Sequence, residues 1–180
     1  MKRKPAIMIL SVLLALSLAF NALMIYRELR PVPFDPEDEV HAGDLAPDFS
    51  VQLLTGETFT LSEHRGTVVV LDFWATWCGP CVAKMPSVQT WSEQFAGEVI
   101  FVGINVGEQG RRVLEFIEER GFTYPIGIDE TADIHRNLYP SPGIPYTVII
   151  NRDGVIADTF LGGGTQMHER IENAILEALG

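Results

Sequence analysis

The spacing of apolar and polar residues changes several times along this 180-residue chain, and each change predicts an element. Ala6 to Tyr26 carries no charge, and only Ser11, Ser17 and Asn21 interrupt it with polar side chains. Wound as a helix at about 1.5 Å per residue, such a run spans about 31 Å, the depth of a bilayer's hydrocarbon core. Phe49-Ser50-Val51-Gln52-Leu53 alternates with a period of two, Thr55-Gly56-Glu57 breaks it, and Thr58-Phe59-Thr60-Leu61 resumes it. That pattern predicts an antiparallel hairpin. Val68 to Trp74 is a block of β-branched and aromatic residues, as in a strand covered on both faces. Cys81, Met85, Val88, Trp91 and Phe95 then recur at steps of four and three, the buried stripe of a helix that contains Pro86 and should kink there.

The remaining elements follow the same logic. Val99 to Val106 reads as a second buried strand and Arg111 to Arg120, with Val113, Leu114 and Ile117 apolar, as a helix. The 39 residues from Gly107 to Pro145 exceed one crossover helix. A short strand (Pro125 to Ile128) and a second helix (Thr131 to Leu138) are therefore expected there, with His135 exposed on that helix. Tyr146 to Ile150 and Val155 to Leu161 flank the turn Asn151-Arg152-Asp153-Gly154 as a hairpin, and Gly162 to Gly164 ends it. Ile171, Ala174, Ile175, Ala178 and Leu179 supply the stripe of a closing helix. His64, in a polar turn before Gly66, is read as a surface residue.

Chemistry concentrates where the first buried strand meets its helix. Gly79-Pro80 marks a helix start, because proline at the first helical position lacks only an N–H that would be unpaired anyway. Cys78 then sits at the helix N-terminus, where unpaired backbone N–H groups and the positive end of the macrodipole favour a thiolate. Cys81, one turn on and deeper, can attack a mixed disulfide formed by Cys78. The alternatives for this Cys-x-x-Cys are half a zinc site or an inert pair. Zinc needs about four ligands, and neither a third Cys nor a second His at ligand spacing accompanies His41, His64, His135 or His168. No metal and no bound cofactor are expected, only a redox-active Cys78–Cys81 disulfide. Asp72 lies in the apolar strand beside this pair. Burying an ionised carboxyl there is costly, so it should favour its protonated form. It could accept the Cys81 proton.

Composition adds a location. Net charge is −11, yet the first 30 residues carry five basic groups against one acid, leaving eight basic and 23 acidic residues and a charge of −15 on the remainder. Such a surface repels phosphate backbones, which argues against nucleic acid as a partner. Lys2-Arg3-Lys4 before the apolar run, against Arg27 and Arg30 offset by Glu28 after it, favours an N-terminus inside and the rest of the chain outside. A cleaved signal peptide is the competing reading, but cutting after Ser17-Leu18-Ala19 would leave an apolar tail from Phe20 to Tyr26, so a retained anchor is favoured. The division expected is 1–30 as anchor, 31–47 as a linker rich in proline and acid, and 48–180 as one domain.

Asp72-Phe73-Trp74-Ala75-Thr76-Trp77-Cys78-Gly79-Pro80-Cys81 resembles the thioredoxin active site, and the order of elements over 48–180 resembles the thioredoxin fold. That fold is α/β, a central mixed sheet flanked by helices, here with an N-terminal hairpin and a central strand-helix insertion behind a single transmembrane helix. With those additions the chain is most similar to the TlpA/ResA-like group of membrane-tethered extracytoplasmic thioredoxins. The resemblance implies that Pro145 is cis and faces the cysteines and that Ile144 offers its backbone to a substrate segment. It also implies that Gly79 and Pro80 tune the potential, that Trp77, Ile144 and Tyr146 line a substrate groove, and that Asp72 occupies the family's acidic position.

Two positions depart from the pattern. Lys84 stands where ResA-type reductases carry a Glu, and Tyr146 stands where thioredoxins usually carry Thr. The implied activity is protein-disulfide reduction at the outer face of a membrane. Its partners would be disulfide-containing proteins, apocytochrome c among them, and a membrane thiol electron donor. The alternatives are an oxidase or isomerase, a peroxidase, or a docking or chaperone module on the same fold.

Overall fold

The computed structural model describes residues 4–28 and 39–180, with side chains in the N-terminal helix described for 13–26. That helix, α1, runs Lys4–Glu28 and forms a unit of its own. Its apolar side chains from Leu13 to Tyr26 are exposed. Among the residues described with their side chains, 13–26 of α1 included, no helix is long and apolar enough to cross a membrane. Most of the expected linker, residues 29–38, lies outside the described residues.

The second unit is built on strands at the positions the period changes predict. A two-stranded antiparallel sheet joins β1 (Ser50–Gln52) to β2 (Thr58–Thr60), and a turn of 3-10 helix, Leu61–His64, follows. His64 is half-buried and stacks on Phe59 with ring centroids 4.7 Å apart, so this surface turn is also packed. The central sheet has the order β5-β4-β3-β6-β7, formed by β3 (Val68–Trp74), β4 (Val99–Val106), β5 (Ile126–Asp129), β6 (Tyr146–Ile150) and β7 (Ile156–Leu161). β3, β4 and β5 run parallel, whereas β6 and β7 are antiparallel to their neighbours. All seven residues of β3 are buried because it is the middle strand and both of its faces are covered.

Each face of the sheet carries one core. Val68, Val70 and Trp74 pack with α2 (Gly79–Gln94), α3 (Gly110–Arg120) and α4 (Thr165–Leu179), the expected stripe of Cys81, Met85, Val88, Trp91 and Phe95 included. Val69, Leu71 and Phe73 pack on the other face with Phe49, Val51, Phe59, Tyr139 and Tyr146. Strand alternation sorts the residues between the two. Of the three apolar residues named on α3, Val113 and Ile117 are buried and Leu114 is 38% exposed.

Three further expectations are amended. Residues 40–47 are not free linker: Val40 and Ala46 are buried, and Gly43 and Ala46 donate backbone hydrogen bonds to Ile156 and Gly154. Two apolar side chains within an acidic, proline-rich run suffice to dock it. The helix expected over Thr131–Leu138 contracts to a π-helical turn, Ile134–Leu138, entered through Ala132 at a φ of 61°. His135 on that turn is not exposed. Its ring lies 5.5 Å from Phe73 and its Nε2 is 2.9 Å from Ser141 Oγ, because the tight turn faces the sheet.

Candidate active site

β3 delivers the loop Ala75-Thr76-Trp77 to the N-terminus of α2, and Cys78 caps that helix in an extended conformation. Pro80 stands in the first turn, where its missing N–H leaves nothing unpaired. Cys78 Sγ accepts the backbone N–H of Cys81 at 3.2 Å, the contact that would favour a thiolate there. The two cysteines are joined by a disulfide, their Cα atoms 5.2 Å apart. Cys78 is 5% exposed and Cys81 is not exposed at all, so only the first sulfur can be approached from outside. Trp77 beside it is 68% exposed.

Two loops close around this sulfur. The Ile144–Pro145 peptide bond is cis, and Ile144 O lies 3.7 Å from Cys78 Sγ. Gly162 donates its N–H to Pro145 O at 2.7 Å, and Gly163 lies beside Pro80 and Pro145, where a Cβ on it would be in ordinary van der Waals contact, 3.4 Å from Pro80 O. Nothing in the local pattern marked these glycines beyond a turn. His135 supports the cis loop from behind: its Nε2 meets Ser141 Oγ, whose hydroxyl donates to Gly143 O at 2.8 Å. Burial holds the His135 imidazole below its ordinary range, Asp129 opposing and Arg136 assisting. Tyr146, expected in the groove, is 1% exposed and stacks on Phe73 in the opposite core. Side chains alternate along β6, so Tyr146 and Thr147 face opposite layers.

Beneath the cysteines lies a residue that the sequence reading did not use. Lys84 is 1% exposed, and its Nζ meets Asp72 Oδ1 at 2.5 Å and Thr147 Oγ1 at 2.7 Å. Asp72 and Thr147 are cross-strand partners, which aims both at α2. Asp72 is therefore not a lone buried carboxyl: the Lys84 side chain meets it directly. The available signal was position, since Lys84 follows Cys81 by three residues and shares its helix face.

A second carboxylate holds the loop before Cys78. Glu108 is 7% exposed and accepts from Thr76 N and Thr76 Oγ1, each at 2.6 Å, and from Asn105 Nδ2 at 3.0 Å, with Arg112 Nε at 3.2 Å. Burial raises its affinity for a proton, but the Thr76 and Asn105 hydrogen bonds and the Arg112 charge outweigh it, so Glu108 sits below the usual 4.5. Its stabilisation is thus complete above that value and is lost as pH falls through the lower folded-state value. Glu108→Gln is expected to destabilise the domain by about 1.5–3 kcal/mol at pH 7, since charged hydrogen bonds are replaced by neutral ones. Urea unfolding at pH 7 and again near pH 3 checks this; the difference from wild type should shrink at the acid end.

A cysteine pair at a helix start, the first nearer the surface and the second fully buried, under a cis-proline loop on a mixed sheet, defines a thioredoxin-like thiol–disulfide oxidoreductase. The Redoxin family profile matches residues 41–175, and the chain belongs to that family. It is 32% identical over 167 residues to the thiol-disulfide oxidoreductase ResA of Geobacillus thermodenitrificans, covering 92% of this chain and 93% of that protein. A candidate protein disulfide isomerase from Bacteroides thetaiotaomicron superposes with a TM-score of 0.72 at 35% identity, over 78% of this chain and 91% of the other. A candidate thiol:disulfide interchange protein DsbE from Chlorobium tepidum gives 0.72 at 30%, over 79% and 100%. Among the described residues no cluster of His, Cys, Asp or Glu could hold a metal ion.

Proposed function

We propose that this chain is a membrane-anchored reductase of disulfides in extracytoplasmic proteins. Reduced Cys78 attacks the substrate disulfide, Cys81 releases the product, and a membrane thiol donor reduces the resulting Cys78–Cys81 disulfide. The observation that carries this reading is the placement of Cys78 Sγ, from the less deeply buried member of the pair, 3.7 Å from the Ile144 carbonyl beside cis-Pro145. There a substrate strand can pair with the loop backbone while its sulfur meets Cys78. Trp77 and Ile144 flank the approach, and Asp72 takes the Cys81 proton. Gly79-Pro80 supports the reducing direction, because thioredoxin, with the same dipeptide, sits near about −270 mV and the oxidant DsbA near about −120 mV. Apocytochrome c, whose haem-attachment cysteines must be reduced, is the substrate suggested by the ResA-like resemblance.

The anchor rests on α1, 25 residues or about 37 Å at 1.5 Å each, with an uncharged run from Ala6 to Tyr26 and exposed apolar side chains. Thiol trapping of the full chain in its own membrane tests the proposal. The pair should be largely reduced in an otherwise oxidising compartment and the chain should stay with the membrane in high salt. A pair largely oxidised with its electron supply intact overturns the reductase direction.

A further inference from the structure

Lys84 is the only lysine after residue 4, and it is spent in the interior. A lone buried ammonium is strongly disfavoured, so its position calls for a reason beyond packing. Its partners divide Asp72 unevenly. Oδ1 takes Lys84 Nζ and lies 3.2 Å from Thr147 Oγ1, whereas Oδ2 is buried with no hydrogen-bond partner among the described residues. One carboxylate oxygen is pinned and the other is left open. Cys81, three residues before Lys84 and equally sealed, lies on the same helix face.

We propose that Lys84 is a positioning residue for the release step, a fixed counter-charge that keeps Asp72 ionised before proton transfer and balances the Cys81 thiolate after it. Lys84 can play this part only if Cys81 is the releasing thiol, as proposed above. In the mixed disulfide between Cys78 and the substrate, the Cys81 thiol gives its proton to Asp72 Oδ2. The Cys81 sulfur then bonds to Cys78 Sγ, the Cys78–substrate bond breaks, and its electron pair leaves on the substrate thiolate. The enzyme dithiol is oxidised by two electrons and the substrate disulfide is reduced by two. Through the proton transfer the buried charge stays at zero, ammonium with carboxylate before it and ammonium with thiolate after it; once the negative charge has departed on the substrate thiolate, Asp72 gives its proton up to solvent and the ammonium–carboxylate pair is restored. Without the cation, either the carboxylate or the thiolate would stand bare in a dry interior, where an unpaired charge is most costly.

The other titratable groups around the pair are His168 of α4, held below its ordinary range by burial and also influenced by Lys84 and Asp72, and Tyr124 ahead of β5, pushed up by burial and by Asp72. Neither contacts the Lys84 ammonium by hydrogen bond, so neither replaces it.

Single-turnover reduction of insulin by the reduced full chain separates capture, the appearance of the mixed disulfide, from release. Lys84→Met keeps the length and removes the charge. It should slow release by about tenfold or more, less than the roughly 10²–10⁴-fold of a group that itself transfers the proton because Lys84 acts through Asp72, and lead the mixed disulfide to accumulate, with capture changed less than about twofold. Release should also acquire a dependence on pH that wild type lacks. Equal release in wild type and the folded variant overturns the assignment.

A second measurement needs no change at Lys84. With ¹⁵N-lysine in Cys78→Ser, where Cys81 is the only thiol, the Lys84 Nζ resonance should move as Cys81 ionises, and Cys78→Ser/Cys81→Ser should remove that step. Identical curves in the two proteins overturn it, the shared background of His168, Tyr124 and Asp72 cancelling. Failure of the parent reading looks different: Cys81→Ser would then form no mixed disulfide with insulin at all.

Discussion

Replacing Cys78 with serine is expected to lower insulin reduction by at least on the order of 10³-fold, to the background rate, while leaving the fold intact. The reason is chemical before it is structural. A serine hydroxyl is scarcely ionised at neutral pH and cannot form the S–S bond through which electrons pass. The helix N-terminus and the Cys81 N–H at 3.2 Å, which favour a thiolate, give a hydroxyl little help. The sealed Cys81 cannot substitute, because no substrate sulfur reaches a fully buried atom. Cys81→Ser should behave differently, capturing substrate once and holding it covalently. Gel mobility of the adduct, with and without reductant, distinguishes the two. Substantial turnover by Cys78→Ser would remove the basis of the site.

The second large effect is on stability. Asp72→Ala is expected to destabilise the domain by about 3–5 kcal/mol, because it leaves the Lys84 ammonium buried with only Thr147 Oγ1 at 2.7 Å. Asp72→Leu combined with Lys84→Met should recover most of that loss, since replacing a buried pair by apolar residues of similar volume is often neutral or stabilising. Guanidinium unfolding of the three proteins at constant slope reads the difference directly. The penalty should also change little between low and moderate salt, a pair this deeply buried being poorly screened. A double variant as unstable as the single one would mean that packing, not charge, sets the energy.

Both results bear on how far the chain could be read without its structure. The Val68–Trp74 block became the central strand over the same residues because an apolar run covered on both faces has few alternatives. The cysteine pair was equally legible. Helix-start chemistry and the stripe through Cys81 and Met85 are local, and they put one sulfur at the end of a helix and the other inside it. The weaker readings failed where a side chain's partner was distant in sequence. His135 looked exposed on its helix, but it lies on a π-turn over Phe73, 62 residues away by numbering, and props Ser141 beneath the cis loop. Residues 40–47 looked like linker by composition and are pinned by Gly154 and Ile156.

By itself, then, the order of residues determined the alternation of strands and helices, the dithiol chemistry and the strongly acidic surface, all properties set by neighbours within a few positions. Only the folded chain decided what surrounds the sulfurs. It brought Ile144 O to Cys78, Gly163 to Pro80, Glu108 to Thr76 and Lys84 to Asp72, contacts spanning from 12 to 83 residues. The physical reason is that a charge or a carbonyl is indifferent to sequence distance. Its energy depends on what solvent it loses and what partner it meets, and both are settled when the sheet closes under α2.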